Sequence, residues 1–163
     1  MIELVEIQTK HRETLAKLLN DESMSRWLLT VPYPYGLQDA ASFISVCTEG
    51  KDSTDNRRYA IEADGEHVGG IGIHRREQHS GEVGYWVGKQ YSNKGIATAA
   101  LKQILDIGFG EMGLIRIYAI TFAGNDASER VLVKCGFEYE GLMRKARVKD
   151  GVPVDCKIFA VVK

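Results

Sequence analysis

The sequence predicts one α/β domain with a mixed sheet, spanning residues 1–163. Three observations predict it. Runs of period-two alternation, which suit strands, are interleaved with runs whose apolar residues recur every three to four positions, which suit helices. Asp64-Gly65 and Asp150-Gly151 are tight-turn signals between strand-like runs and predict hairpins. The length suits a single core, and no linker, repeat or low-complexity tract divides the chain.

Each element has its reason in its residues. Ile2 to Ile7 alternates apolar and charged residues and reads as a strand with one wet face. Thr9 is placed to cap a helix whose Leu15, Leu18 and Leu19 share a face. "ESMSRWLL" reads as a short helix, and Pro32 and Pro34 end it, because prolines two apart do not sit inside a helix. "LQDAASFISVCTEG" reads as another helix, closed by Gly50. From Arg58 the chain gives three strands: "RYAIEA", "HVGGIGIHR" and "EVGYWVG". Gly95 to Met112 is an amphipathic helix with Leu101, Ile104, Leu105, Gly108 and Met112 on one stripe. "LIRIYAITF" is a strand. A helix then runs from Asn125 to Gly136, and two strands around Asp150-Gly151 complete the pattern.

Composition narrows the function. Hydrophobic content is 44% and charged content 26%, as in ordinary globular proteins. The formal net charge of -1 implies no general attraction to nucleic acid or anionic membrane. Cys47, Cys135 and Cys156 are odd in number, far apart and without CxxC spacing, which argues against a disulfide framework and a zinc site and for reduced thiols in the cytoplasm. The first residues do not form a signal peptide, and no apolar run is long enough to cross a bilayer.

The stretch "YSNKGIATAAL" carries the chemistry. A helix N-terminus presents unpaired N–H groups and the positive end of the helix dipole. Gly95 lets the chain bend and a ligand approach; Lys94 and Thr98 add a charge and a hydroxyl. These suit a phosphate or pyrophosphate, although plain helix capping produces the same pattern. Gly69, Gly70 and Gly72 do not form a dinucleotide-binding fingerprint: their spacing differs from GxGxxG and they lie within a strand. There is no GxxxxGK[ST] phosphate loop.

Around this stretch stand Gly84-Tyr85-Trp86 before it and Asn125, Ser128, Lys134, Gly136-Phe137 and Glu140-Gly141 after it. "PYPYGLQDAASFI" lies upstream of them, and Arg147, Asp150-Gly151 and Asp155 lie downstream. In this order and spacing the chain resembles the GNAT superfamily of N-acetyltransferases, in the branch similar to the bacterial ribosomal-protein (RimJ/RimL-like) acetyltransferases. The superfamily's acyl-CoA motif has Gln or Arg three positions before its glycine. This chain matches at Gly95 and Ala97 and departs at Ser92.

The resemblance implies a mostly antiparallel mixed sheet flanked by helices, with acetyl-CoA as cosubstrate and no metal. It implies a cytoplasmic monomer or homodimer that acts on an amine acceptor, without direct nucleic-acid or membrane partners. It places the pyrophosphate on the amides of Asn93, Lys94, Gly95, Ile96, Ala97 and Thr98, and the pantetheine arm along Tyr85, Trp86 and Val87. Asn125 would bond the arm, and Lys134 would sit near the cosubstrate's end or simply complement its helix dipole. The reaction would be direct attack of a neutral amine on a thioester. A peptide α-amine with a pKa of about 8 is roughly one-tenth neutral at pH 7, a cost of about 1.4 kcal/mol; a lysine amine near ~10.4 costs about 4.6 kcal/mol. An N-terminal amine therefore needs little help, and Glu82 is the candidate base, otherwise an exposed strand-edge glutamate. Many superfamily members carry a tyrosine acid where this chain has Leu132. Ser128, one turn earlier, is the candidate for the leaving thiolate, otherwise a capping serine.

Two other readings stand beside this one. A polyamine or aminoglycoside acceptor would need a carboxylate-rich pocket, to which Glu138, Glu140 and Asp155 are available. A non-catalytic acyl-CoA-binding module is compatible with the missing tyrosine.

Overall fold

The computed structural model describes residues Met1–Lys163. Seven strands form one sheet: β1 (Ile2–Glu6), β2 (Asn56–Ala63), β3 (Glu66–Glu77), β4 (Ser80–Val87), β5 (Arg116–Phe122), β6 (Glu138–Lys149) and β7 (Val152–Val162). Their spatial order is β1-β2-β3-β4-β5-β7-β6, and every neighbouring pair is antiparallel except β4 with β5. The helices are α1 (Arg12–Leu19), α2 (Glu22–Ser25), α3 (Leu37–Glu49), α4 (Ile96–Asp106) and α5 (Asp126–Lys134). The mixed, mostly antiparallel sheet matches the expectation. Both tight-turn signals make hairpins, with Asp64, Gly65, Asp150 and Gly151 all at positive φ, as a type I′ turn requires.

The helices cover opposite faces of the sheet because the strand side chains alternate. On one face Ile61, Ile71, Ile73, Val83, Ile117 and Ala119 pack with Ala100, Leu101, Ile104 and Leu105 of α4 and Leu132 of α5. On the other, Ala60 and Ile7 pack with Leu15 and Leu19 of α1 and Ala40, Ile44 and Cys47 of α3. The predicted stripe of α4 is buried throughout, including Gly108 and Met112. The regular helix ends at Asp106, however, and continues as a π-turn over Ile107–Glu111.

Two local expectations are corrected. Thr9 does not cap α1; it lies inside a 3-10 turn, Thr9–His11, and the Gln8 N–H donates to His11 Nδ1 at 3.0 Å. The imidazole is held from its other side, where Nε2 meets Glu62 at 3.0 Å. Gly50 comes after α3 but has a φ of -95, so the helix ends without a left-handed residue.

Buried histidines give the fold a pH dependence. His67 donates from Nε2 to the Gly69 carbonyl at 2.9 Å, and burial pushes its pKa down to about 4, with the charge of His11 adding to the effect. His74 is likewise pushed down to about 4, by burial first and then by Arg58. Free histidines titrate near 6.5, so between about pH 6.5 and 4 the unfolded chain binds more protons than the folded one. The stabilisation is fully present above that window and is lost as pH falls through it. Urea unfolding at pH 7.5 and pH 4.5 is expected to show a loss on the order of 3 kcal/mol from His67 alone. Equal midpoints at the two pH values would contradict this.

Candidate active site

The site begins where two strands stop pairing. β4 and β5 run parallel and pair only at Ser80–Glu82 with Arg116–Tyr118. Beyond Glu82, β4 pairs only with β3, from Val83 opposite Ile73 to Val87 opposite Gly69. Beyond Tyr118, β5 pairs only with β7. The two strands diverge inside the sheet and leave one edge of each unpaired. Backbone N–H and C=O groups on such an edge demand partners, and an extended ligand can supply them.

A cleft of about 780 Å³ occupies this gap. It is lined by Val83, Tyr85, Ala119 and Thr121, which alternation puts on the α4–α5 face, and by Gly84, Trp86, Ile120 and Phe122 on the α1–α3 face. The cleft therefore passes through the sheet. Gly72 and Gly84 face each other across β3 and β4; a Cβ on Gly84 would meet nothing within 4 Å and the floor is bare there, whereas one on Gly72 would press on the Arg57 carbonyl and His74 Nε2 at 3.2 and 3.3 Å. Gly70 has a different reason to be glycine: a Cβ there would lie 2.6 Å from Trp86 Nε1, so the indole can lie across β3 only because the side chain is missing.

Glu82 is the last residue of β4 to pair with β5, and it lines the cleft. Arg76 Nε donates to its carboxylate at 3.0 Å. His74 and Tyr118 stand opposite it on the flanking strands. His74 donates from Nδ1 to Asn56 Oδ1 at 2.9 Å, which leaves Nε2 as an acceptor. The Tyr118 phenol is pushed up by burial and by the charge of Glu82.

Ser128 and Tyr85 form a hydroxyl pair. Tyr85 Oη lies 3.0 Å from Ser128 Oγ and 3.1 Å from the Ser128 carbonyl. Burial pushes the Tyr85 phenol up to about 12, so it is a neutral hydrogen-bonding group near neutral pH. The hydroxyl of Ser128 does not cap α5. Asn125 does, with Oδ1 accepting from the Ser128 N–H at 3.4 Å. Asn125 also lines the cleft. On the facing strand the Thr121 hydroxyl is buried in the cleft wall without a hydrogen-bond partner.

The start of α4 lies beyond the open edge of β4, after a 3-10 turn at Lys89–Tyr91. Asn93 and Gly95 adopt left-handed φ values of 61 and 76. The first N–H to bond within the helix is that of Ala99, to Gly95 O at 3.0 Å. The preceding N–H groups, Ile96 to Thr98, have no intrahelical partner, and Asn93, Lys94 and Gly95 are exposed. Residues 93–98 are not part of the cleft wall; they follow β4 in the chain by way of the 3-10 turn. Lys134 is exposed in the last turn of α5. Its neighbour Cys135 reaches the Thr98 carbonyl at 3.6 Å, which puts the end of α5 beside the first turn of α4. Burial pushes the Cys135 thiol up, against a nucleophilic role.

Of the carboxylates available for a polycation, none of Glu138, Glu140 and Asp155 lines the cleft. Glu140 takes both nitrogens of Arg116 at 2.6 and 2.9 Å, and Asp155 accepts from the Lys145 N–H at 2.8 Å. Sequence reasoning missed His74, Arg76, Thr121 and the hydroxyl of Tyr85. The alternation Gly70, Gly72, His74, Arg76 along β3 was the available signal for the first two, because it places all four on one face.

Comparison with known proteins bears on this arrangement. YoaA of Bacillus subtilis, an uncharacterised N-acetyltransferase, is 35% identical over 100 residues, 60% of this chain and 56% of YoaA. YdaF of the same organism, named among the ribosomal N-acetyltransferases, is 30% identical over 96% of this chain and 88% of its own. A spermidine N(1)-acetyltransferase of Escherichia coli is 27% identical over 84% of this chain and 74% of its own. The solved structure of Mycobacterium smegmatis RimJ in complex with CoA-disulfide has a TM-score of 0.90 and 26% identity, covering 99% of this chain and 81% of RimJ. The family model described as acetyltransferase (GNAT) domain matches residues 2–138, a span that contains the diverging strands, the α4 start and the Tyr85–Ser128 pair. A match over most of the chain, joined to a shared fold, leads to one conclusion: this chain belongs to the GNAT acetyltransferase family.

Proposed function

We propose that this N-acetyltransferase transfers the acetyl group of acetyl-CoA to a protein N-terminal α-amine, by direct attack in a ternary complex. One observation carries the reading: the unpaired edge of β4 leads from a cleft through the sheet to an open helix start. A long arm ending in a pyrophosphate fits that path. The amides of Asn93 to Thr98 bind the anion, with Lys94 and Lys134 nearby, and the backbone of Tyr85, Trp86 and Val87 pairs with the arm. The side-chain amide of Asn125 has donors to spare after capping α5 with its oxygen.

Acetyl-CoA supplies an acyl group activated as a thioester. The chain orients it and manages two protons. Glu82 accepts the ammonium proton of the acceptor, directly or through a water, once the acceptor displaces part of its pairing with Arg76. Ser128 Oγ–H hydrogen-bonds the departing sulfur, while Tyr85, whose O–H lies within reach of both the Ser128 carbonyl and Ser128 Oγ, keeps the hydroxyl in place. With a thiol near pKa ~8.5 leaving, a hydrogen bond is sufficient help for its departure; the second proton, lost by the attacking nitrogen as the C–S bond breaks, ends on the thiolate by way of Ser128 Oγ or a water. Support for a protein N-terminus comes from the low cost of neutralising an α-amine and from the relatedness to YdaF and RimJ. The spermidine relative favours a polyamine instead, but the cleft wall offers only Glu82 and Asp39 as carboxylates against three arginines.

Ser128→Ala and Tyr85→Phe test the hydroxyl pair. Each is expected to lower kcat by about tenfold while changing acetyl-CoA affinity by less than about threefold. Thiol-release kinetics and calorimetry measure the two quantities. Unchanged turnover in Ser128→Ala would remove it from the reaction. The acceptor class is tested by thiol release with peptides, polyamines and aminoglycosides, and acetyl-CoA binding without turnover on any of them would favour a binding module.

A further inference from the structure

The cleft's charges do not balance. Its wall carries Asp39, Glu82, Arg58, Arg76 and Arg147. Three arginines stand against two carboxylates; Asp39 keeps its charge but is turned to the start of α3, its Oδ2 accepting from the Gly36 N–H at 2.8 Å. Glu82 and Arg76 neutralise each other. Arg58 and Arg147 remain. Both are half-buried, and neither is ion-paired; Arg147 reaches only the carbonyl of its neighbour Ala146, at 3.5 Å. Arg147 comes from β6, at a bulge between Met143 and Arg147 that shifts the register with β7. Arg58 comes from β2 opposite Gly72, with its guanidinium at the edge where α3 ends. Both line the same cleft as His74 and Glu82.

Guanidinium groups held partly out of water without a counter-ion leave their hydrogen-bonding capacity unused, and a concave wall focuses their field. A polycation entering this cleft meets that field with the wrong sign. An amine with carboxylates close behind it meets Glu82 with its ammonium and the arginines with its acids. Arg is suited to carboxylates because its fork binds both oxygens at once.

We propose that the acceptor is an N-terminal segment with acidic side chains directly after its first residue, read by Arg147 and Arg58 as specificity-determining residues. This rests on the N-terminal acceptor reading above. The test is thiol release with three peptides that share an N-terminal serine and carry glutamates, glutamines or lysines at the next two positions. The glutamate peptide is expected to have a kcat/KM about tenfold above the glutamine peptide and about a hundredfold above the lysine peptide at low salt. The advantage shrinks as ionic strength rises. Arg147→Glu should reverse the order, and Arg147→Gln combined with Arg58→Gln should bring the glutamate-to-glutamine ratio to within about twofold of one. Unaltered acetyl-CoA affinity by calorimetry shows that each variant is folded; where Arg147→Glu fails that control, Arg147→Gln alone must still lower the ratio.

Equal kcat/KM for the three peptides, a lysine preference, or a glutamate preference that survives the Arg147 substitutions would overturn the proposal. The N-terminal reading fails separately. If no peptide is acetylated but free amino-acid amides are, that reading falls, and glutamate amide against glutamine amide then judges the arginines by the same ratio.

Discussion

Gly95→Asp is expected to abolish measurable acetyl-CoA binding. The residue has a φ of 76, which costs side-chain-bearing residues about 1–2 kcal/mol, so some loss of stability accompanies any substitution. Bulk is not the main effect, because a Cβ at this position would meet nothing within 4 Å. The charge is. A carboxylate at the open N-terminus of α4 occupies the same donors a pyrophosphate needs and repels it. At about 4 Å and an effective dielectric near 20, that repulsion is roughly 4 kcal/mol per unit charge, enough for a loss of more than a hundredfold in affinity. Gly95→Ala separates the two causes: it carries the backbone strain without the charge and should keep affinity within about tenfold. Calorimetric titration of both variants measures this. A Gly95→Asp protein that binds normally would remove residues 93–98 from the cosubstrate site.

Gly84→Leu should do the opposite, blocking the acceptor while sparing the fold. Gly84 lies on the bare floor of the cleft opposite Gly72, with open space above it. A leucine there projects into the α1–α3 side of the cleft, the side that alternation also gives to Glu82, the proposed base. Displacing an acceptor amine by about 1 Å costs on the order of a hundredfold in rate, and a leucine displaces more than that. The expected result is a fall in kcat/KM of at least about a hundredfold, with thermal stability nearly unchanged. A variant that turns over N-terminal peptides normally would place the acceptor elsewhere.

These two glycines separate what a sequence can reveal from what it cannot. Gly95 was legible because a lone glycine before an apolar helical stripe is a local signal, and local signals survive folding. The α4 stripe and the hairpins at Asp64-Gly65 and Asp150-Gly151 were legible for the same reason. The role of Gly84 was not. It depends on which strand lies beside β4 and where the pairing stops, and period-two alternation says neither. The hydroxyl pair is harder still, since Tyr85 and Ser128 are 43 residues apart in the chain and meet only because α5 packs on the face from which Tyr85 projects. Ser128 is visible through its motif, but the capping role open to it belongs to Asn125. The unpaired arginines needed the whole cleft wall before their lack of partners had meaning. Nor was it legible that Thr9 lies inside a 3-10 turn, whose His11 is tied to a residue 51 positions away.

The proposed function has the cleft between β4 and β5 bring acetyl-CoA and a peptide N-terminus together. Its most direct measurement is mass spectrometry of a lysine-containing peptide incubated with the protein and acetyl-CoA, with free thiol followed in parallel. The expected result is one acetyl group on the α-amine, none on the lysine, and one thiol released per peptide modified. Acetyl placed on the lysine, or turnover only with a polyamine, would contradict it.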